Sequence, residues 1–111
     1  MSELTYNNLA NHLPADTVEY IGNQLKVNNT QLVDSELVPD SSLVEPTAKY
    51  LEGLVKLTEE VNETRKRDSN DPVIFASKRF MGMPGKPLIE YTVTIAINEE
   101  TFINNLTDPT V

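Results

Sequence analysis

The segment after Pro46 limits the possible folds of this chain more than any other feature, because apolar residues recur in it with a helical period. Small or apolar side chains are spaced by three or four residues at Ala48, Leu51, Leu54, Val55, Thr58 and Val61. Charged side chains fall outside this stripe at Lys49, Glu52, Lys56, Glu59, Glu60 and Glu63. The pattern predicts an amphipathic helix over residues 47–67, whose apolar face must be buried against another element.

Residues at both ends of the predicted helix suit a helix end. Pro46 is tolerated in the first turn, where its missing N–H would have no helical partner. The negative end of the helix dipole favours the cations of the last turn, Arg65, Lys66 and Arg67. Turn-forming residues follow at 68–72, so the ends agree with the apolar pattern.

Two strand patterns follow the helix. Residues 73–80 are rich in β-branched and aromatic side chains, and residues 88–98 alternate apolar and polar side chains. Residues 81–87 separate them, which predicts an antiparallel hairpin with its apolar face covered by the helix. Asn98 and the two glutamates after it predict a final short helix or turn that carries Phe102, Ile103 and Leu106.

The first 46 residues are predicted to form an arm or short helix and an extended segment that lies against the domain or a neighbour. The spacing of Val18, Ile21 and Leu25 favours a helix over residues 14–27, although the alternation of Val18 and Tyr20 leaves a strand open. Three Leu-Val pairs follow, at 32–33, 37–38 and 43–44. They are too apolar for a free linker, and the Asp, Ser and Pro residues between them break any regular period.

These patterns predict one α+β domain, in which an amphipathic helix packs on an antiparallel β-hairpin or small sheet and an extended N-terminal segment precedes it. Residues 1–46 would form the adhering arm, and residues 47–111 the helix-hairpin core. An isolated hairpin is marginally stable, so a third strand must complete the sheet. Residues 26–33 or the edge of another copy are the candidates, and this shortage of strands is the main argument for assembly.

Composition removes several classes of chemistry. The absence of cysteine excludes disulfides, thiolate metal sites and cysteine nucleophiles, and we predict no metal or cofactor site. The one histidine, His12, is interpreted as an ordinary surface residue, and Glu59, Glu60 and Glu63 as a solvated helix face. We therefore predict that the chain is not an enzyme. An enzyme without a familiar motif would need a pocket lined by partly buried carboxylates or tyrosines.

Hydropathy and charge restrict the compartment and the partners. No stretch approaches the roughly 20 apolar residues of a membrane span, and no basic and apolar signal begins the chain, which predicts a cytoplasmic protein or a particle assembled there. The formal charge of −8 divides into −8 for residues 1–64, +4 for 65–87 and −4 for 88–111. Repulsion from phosphates argues against nucleic acid. Head-to-tail packing of two copies would neutralise both charged regions.

Two places are predicted to bind a partner. The first is the segment between the strands, with Met81, Met83, Pro84 and Lys86, because methionine adapts to irregular surfaces. Its glycines and lysine do not make a phosphate loop, since Pro87 follows the lysine. The second is the basic triplet Arg65, Lys66 and Arg67, which would join Lys78, Arg79 and Lys86 in one patch if the helix end lies near the hairpin. Solvation of the helix end also explains the triplet.

The functional prediction is a non-enzymatic structural or interaction subunit of a larger protein assembly, either a homo-oligomer or a hetero-assembly. A small chain rich in Asn and Thr and free of cysteine also suits a minor component of a bacteriophage particle. The alternative is a small acidic regulatory or adaptor protein that binds a basic partner.

Overall fold

The computed structural model of the protein describes residues 3–95 and shows, within them, three helices and two separate β-hairpins. The elements in chain order are α1 (Tyr6–Ala10), β1 (Val18–Ile21), β2 (Gln24–Val27), α2 (Asn29–Val33), α3 (Val44–Arg67), β3 (Ala76–Met83) and β4 (Lys86–Val93). The predicted α+β class is confirmed, because α3 packs on the β3–β4 hairpin. The predicted helix or turn with Phe102, Ile103 and Leu106, and the strand beyond residue 95, lie outside the described residues.

The long helix α3 carries the core. It starts three residues earlier than predicted, with Pro46 in its first turn and the basic triplet in its last. Its buried face includes the predicted Leu54, Val55, Thr58 and Val61. Leu57, which lies outside the predicted stripe, is also buried at 2% exposure. The core therefore covers a wider sector of the helix than the sequence pattern indicates.

The short helix α1 closes the core from the N-terminal side. Thr5 Oγ1 caps it by accepting a hydrogen bond from the Asn8 N–H at 3.1 Å. Leu9 is buried in the same core cluster as Leu57. The expectation of an ordinary surface histidine is wrong, since the His12 side chain is largely buried and its Nε2 lies 2.8 Å from Glu60 Oε2.

Residues 18–27 form a hairpin, so the helix predicted over residues 14–27 is wrong and the strand alternative is correct. β1 and β2 pair antiparallel from Val18 opposite Val27 to Ile21 opposite Gln24. Gly22 and Asn23 connect them with φ values of 58° and 64°. Two consecutive residues with positive φ make the two-residue turn that matches the twist of a hairpin and that a helix does not allow.

The segment from 28 to 46 is not uniformly extended. Asn28 Oδ1 accepts hydrogen bonds from the Thr30 and Gln31 N–H groups, which starts α2. Residues 26–33 therefore do not supply a third strand to the β3–β4 hairpin. Of the three Leu-Val pairs only the first packs inward, with Leu32 buried. Leu43 in the third pair is 73% exposed.

The β3–β4 hairpin is displaced toward its turn relative to the prediction, because β3 starts at Ala76 and not at residue 73, β4 ends at Val93, and both strands continue to a two-residue turn. The register runs from Ala76 opposite Val93 to Met83 opposite Lys86. Only Pro84 and Gly85 lie between the strands, so the predicted connection over residues 81–87 is too long. Gly85 adopts a φ of 84°, and proline followed by a positive φ is typical of a tight type II turn. Each sheet has two strands within residues 3–95, so the predicted shortage of strands holds there.

Candidate functional site

Three polar side chains of α3 hold the base of the β3–β4 hairpin. Nearest the helix end, the Asn62 amide both accepts from the Val73 N–H at 2.7 Å and donates to the Val73 carbonyl at 3.0 Å. The Thr58 hydroxyl donates to the Leu54 carbonyl at 2.8 Å and accepts from the Ala76 N–H at 3.2 Å. These side chains supply the hydrogen bonds that a neighbouring strand would give in a larger sheet.

The third of these side chains is Glu52. It accepts hydrogen bonds from Lys78 Nζ and from the Tyr91 hydroxyl, the latter at 2.7 Å. Asn62 and Glu52 are about 15 Å apart along the helix at 1.5 Å per residue. β3 therefore runs antiparallel to α3, and the hairpin leads away from the helix end that carries the basic triplet.

Beyond Lys78 and Tyr91 the hairpin extends past its helical support. We define residues 80–89 as the hairpin tip. Every large apolar side chain in it is exposed, namely Phe80, Met81, Met83, Leu88 and Ile89. Because paired residues share a face, Phe80 and Ile89 lie on one face and Met81 and Leu88 on the other. The tip thus presents apolar side chains on both of its faces.

Four of the predicted partner-binding residues lie in the tip, namely Met81, Met83, Pro84 and Lys86. Met83 is 69% exposed. Of the three hairpin cations, Lys78 pairs with Glu52 and Arg79 Nε lies 2.7 Å from Glu90 Oε1. Lys86 belongs to none of the ion pairs found within residues 3–95. The tip therefore combines apolar side chains with one cation that no described carboxylate neutralises.

The basic triplet is placed elsewhere and is partly engaged. Arg65 Nη1 lies 2.6 Å from Glu3 Oε1, and Arg65 Nε donates to the Asp71 carbonyl. Arg67 donates to Thr64 Oγ1 at 3.3 Å. These contacts tie the chain before α1 and the chain after α3 to the helix end. The structure does not bring the triplet and the hairpin tip into one patch, and partner binding by the triplet stays a prediction.

A second exposed surface, which the sequence analysis did not single out as a site, lies where α2 meets the start of α3. It contains a cavity of about 420 Å³ between α2, the chain that follows it and the first turn of α3. Its walls are formed by Asn29, Thr30, Leu37, Val38, Pro39, Ser41, Ser42, Leu43, Pro46 and Thr47. We call this surface the α2–α3 corner. The Leu-Val pairs at 37–38 and 43–44 were the only sequence signal for it.

Acidic residues surround the α2–α3 corner in the chain. Residues 27–48 contain four carboxylates and no lysine or arginine. The carboxylates are Asp34, Glu36, Asp40 and Glu45, all of them exposed. None belongs to an ion pair found within residues 3–95. The corner therefore combines a recess lined by apolar and polar side chains with acidic flanking segments of the chain, the opposite charge to that of the tip.

A smaller cavity of about 200 Å³ lies between α1, α3 and β3. It is lined by Leu4, Thr5, Tyr6, Leu9, Tyr50, Leu54, Leu57 and Phe75. Burial, followed by the nearby Tyr6, raises the pKa of Tyr50 above its ordinary value. With its pKa raised, the Tyr50 phenol is protonated near neutral pH. The lining of this cavity contains two tyrosines, Tyr6 and Tyr50, and no carboxylate.

The contacts of Glu52 predict a pH dependence of stability. The hydrogen bond from Lys78, and after it the hydrogen bond from Tyr91, lowers the pKa of Glu52. The hydrogen bond between Tyr91 and Glu52 also raises the pKa of Tyr91. A carboxylate with a lowered folded-state pKa stabilises the fold above its unfolded pKa of about 4.3, and this stabilisation is lost as the pH falls through the folded pKa. Glu52→Gln should therefore be less stable than the parent at pH 6, with the difference shrinking by pH 3.

Urea denaturation at the two pH values measures this effect. Glu63→Gln is the matched control, because Glu63 is exposed and has no ion pair within residues 3–95. It should follow the parent at both pH values. A stability difference between Glu52→Gln and the parent that stays constant with pH would contradict the assigned role of Glu52.

Residues 3–95 contain neither a membrane-spanning helix nor a cluster of metal-ligand side chains. None of the helices between residues 3 and 95 has the length and apolar character that crossing a membrane requires. The same residues hold no group of three or more histidine, aspartate or glutamate side chains arranged for a metal ion. Comparisons with known proteins assign no function to these surfaces, because we found no protein family, no curated protein and no solved structure that this chain matches.

Proposed function

We propose that this chain is a non-enzymatic interaction subunit of a larger protein assembly and that the hairpin tip docks it onto a protein partner. The observation that carries the proposal is the exposure of five large apolar side chains on one projecting two-stranded ribbon. Contiguous exposed apolar surface of this kind is typical of interaction sites. Two methionines among the five suit a contact that adapts to its partner.

The support for the hairpin also favours docking. α3 holds the hairpin only up to Lys78 and Tyr91, and each sheet has two strands within residues 3–95. A two-stranded ribbon is marginal in water, so a partner that covers the tip stabilises it while burying its apolar side chains. We place this role in the cytoplasm or in a particle assembled there, with a minor component of a bacteriophage particle as one form of it.

Replacing Met81 and Met83 by serine should weaken association by at least about tenfold, since burying one methionine side chain contributes roughly 1.5–3 kcal/mol and about 1.4 kcal/mol is a factor of ten. Thermal stability should stay close to that of the parent, because both side chains are exposed in the single chain. Light scattering after size-exclusion chromatography measures association of the purified chain, and sedimentation measures complexes in lysate of its source cells.

Ile74→Ser is the matched control for the methionine substitutions. Ile74 is more exposed than either methionine but precedes β3, outside the tip. It should leave association unchanged. Unaltered association of Met81→Ser/Met83→Ser in both the purified protein and the lysate would remove the tip from the interface and overturn the proposal.

The second candidate function is an acidic adaptor that binds a basic partner. The exposed carboxylates around the α2–α3 corner, unpaired within residues 3–95, favour it. The two functions differ in which surface matters. An adaptor would lose its partner when Asp40 and Glu45 are replaced by their amides, and would keep it when Met81 and Met83 are replaced by serine.

A further inference from the structure

We infer that the partner of the hairpin tip is a second copy of this chain, and that the tip inserts into the α2–α3 corner of that copy. This inference rests on the proposed function and names both the occupant and the receiving surface. It joins two surfaces that are exposed in the single chain and opposite in charge.

The tip has the chemistry of a ligand for the corner. Its end consists of Met83, Pro84, Gly85 and Lys86, with Met83 and Lys86 paired across the turn. The tight turn makes this end narrow, and Lys86 is the hairpin cation that lacks an ion pair within residues 3–95. An apolar and cationic end of this shape needs a concave apolar site with carboxylates at its rim.

The α2–α3 corner offers such a recess. Its cavity of about 420 Å³ is open to solvent, and apolar and polar side chains share its lining. Leu37, Val38 and Leu43 supply apolar wall, and Asp40 lies in the chain between two wall residues, Pro39 and Ser41. A carboxylate there can pair with a lysine that arrives with an apolar end, because opposite charges fix the orientation of an interface.

Charge distribution favours a second copy over an arbitrary acidic protein. The hairpin tip carries Lys86 and no carboxylate, whereas residues 27–48 carry four carboxylates and no lysine or arginine, so each copy provides both complementary surfaces. Because the two surfaces differ, each copy has one donor and one acceptor surface. Two copies that exchange tips close a two-fold pair, and copies that do not exchange them form a larger ring or an open chain. The inference therefore predicts an assembly of the parent that is lost when either surface is blocked.

The test uses two full-length variants, each altered on one surface. Met83→Asp/Lys86→Glu carries a blocked tip and an intact corner. Val38→Lys/Asp40→Lys carries a blocked corner and an intact tip. All four positions are exposed, so both variants should fold like the parent, which circular dichroism and thermal melting check.

The parent should form dimers or larger species as its concentration rises through the micromolar range, and each variant alone should be monomeric. An equimolar mixture of the two should form a 1:1 dimer and nothing larger, because it contains one working tip and one working corner per pair. Glu63→Lys is the control for the charge reversal at position 40, since it makes the same change from carboxylate to ammonium outside the corner and should assemble like the parent.

Three results would overturn the inference: a mixture that remains monomeric, a blocked-corner variant that assembles like the parent, or a parent that stays monomeric throughout. If the parent is monomeric but the tip substitutions abolish a complex in lysate of the source cells, the occupant is a different protein and the proposed function stands. Tip substitutions without effect in either setting would overturn both proposals.

Discussion

Replacing Leu57 by alanine should lower the free energy of unfolding by about 2–5 kcal/mol, the range for truncating a buried leucine. Leu57 is 2% exposed and belongs to the core cluster with Leu9, Val61 and Ala76, so it joins α1, α3 and β3. Its removal leaves a cavity between three elements, and a close-packed core relaxes into such a space only in part. Urea denaturation of the purified chain measures the change.

Leu43→Ala is the counterpart to Leu57→Ala. Leu43 is exposed and lines the α2–α3 corner, so the change in stability should stay within about 0.5 kcal/mol. The effects on association should be reversed. Leu43→Ala should weaken association, and Leu57→Ala should retain it at temperatures where that variant is folded. Equal loss of stability in the two variants would contradict the position of Leu57 in the core.

Replacing Thr58 by valine should lower the free energy of unfolding by about 1–3 kcal/mol, although the two side chains are nearly equal in size. The Thr58 hydroxyl accepts from the N–H of Ala76, and both residues are buried. Valine leaves the N–H of a buried residue without its partner, and the penalty is that of a buried unsatisfied donor. Urea denaturation gives the stability change, and hydrogen exchange of the Ala76 amide reports its local cause.

Thr58→Ser is the matched control, because it retains the hydroxyl and removes only a methyl group. It should keep the slow exchange of the Ala76 amide and lose less stability than valine. If serine and valine lower the stability equally, the methyl group and not the hydrogen bond explains the effect, and the assigned role of Thr58 is wrong.

The long helix was predictable because its signals are local. The stripe of apolar residues, Pro46 in the first turn and cations in the last all lie in one continuous segment, and each agrees with the others. Leu57 was omitted from the predicted stripe, although it follows Leu54 by three positions and precedes Val61 by four, which is a helical spacing. Its partner was not predictable, because its cover comes from α1, more than 40 positions earlier in the chain.

The hairpins show where short patterns become ambiguous. Residues 18–27 satisfy a helical spacing at Val18, Ile21 and Leu25 and a strand alternation at Val18 and Tyr20, and segments of this length do not decide between them. The pair Gly22-Asn23 was the deciding signal, since both adopt positive φ. In the second hairpin, Pro84 and Gly85 make the turn, and both strands continue into the segment that was predicted to connect them.

The candidate site also has one part that local sequence signals predicted and one part that they did not. Met81, Met83, Pro84 and Lys86 were predicted because residue type alone marks an adaptable apolar end. The α2–α3 corner was not predicted, since its wall combines residues from α2, the chain after it and the start of α3. Likewise, no sequence rule indicates that Asn62 pairs with both backbone groups of Val73 through its amide.

The row of contacts from Asn62 through Thr58 to Glu52 has a geometric consequence for any array of copies. These three side chains set the inclination of the ribbon to the helix axis, and the acceptor surface sits at the beginning of that same helix. A small tilt of the ribbon would be repeated at every junction and would accumulate around the array. Curvature, and with it the choice between a closed ring and an open filament, would then be adjustable at Glu52 without altering either docking surface.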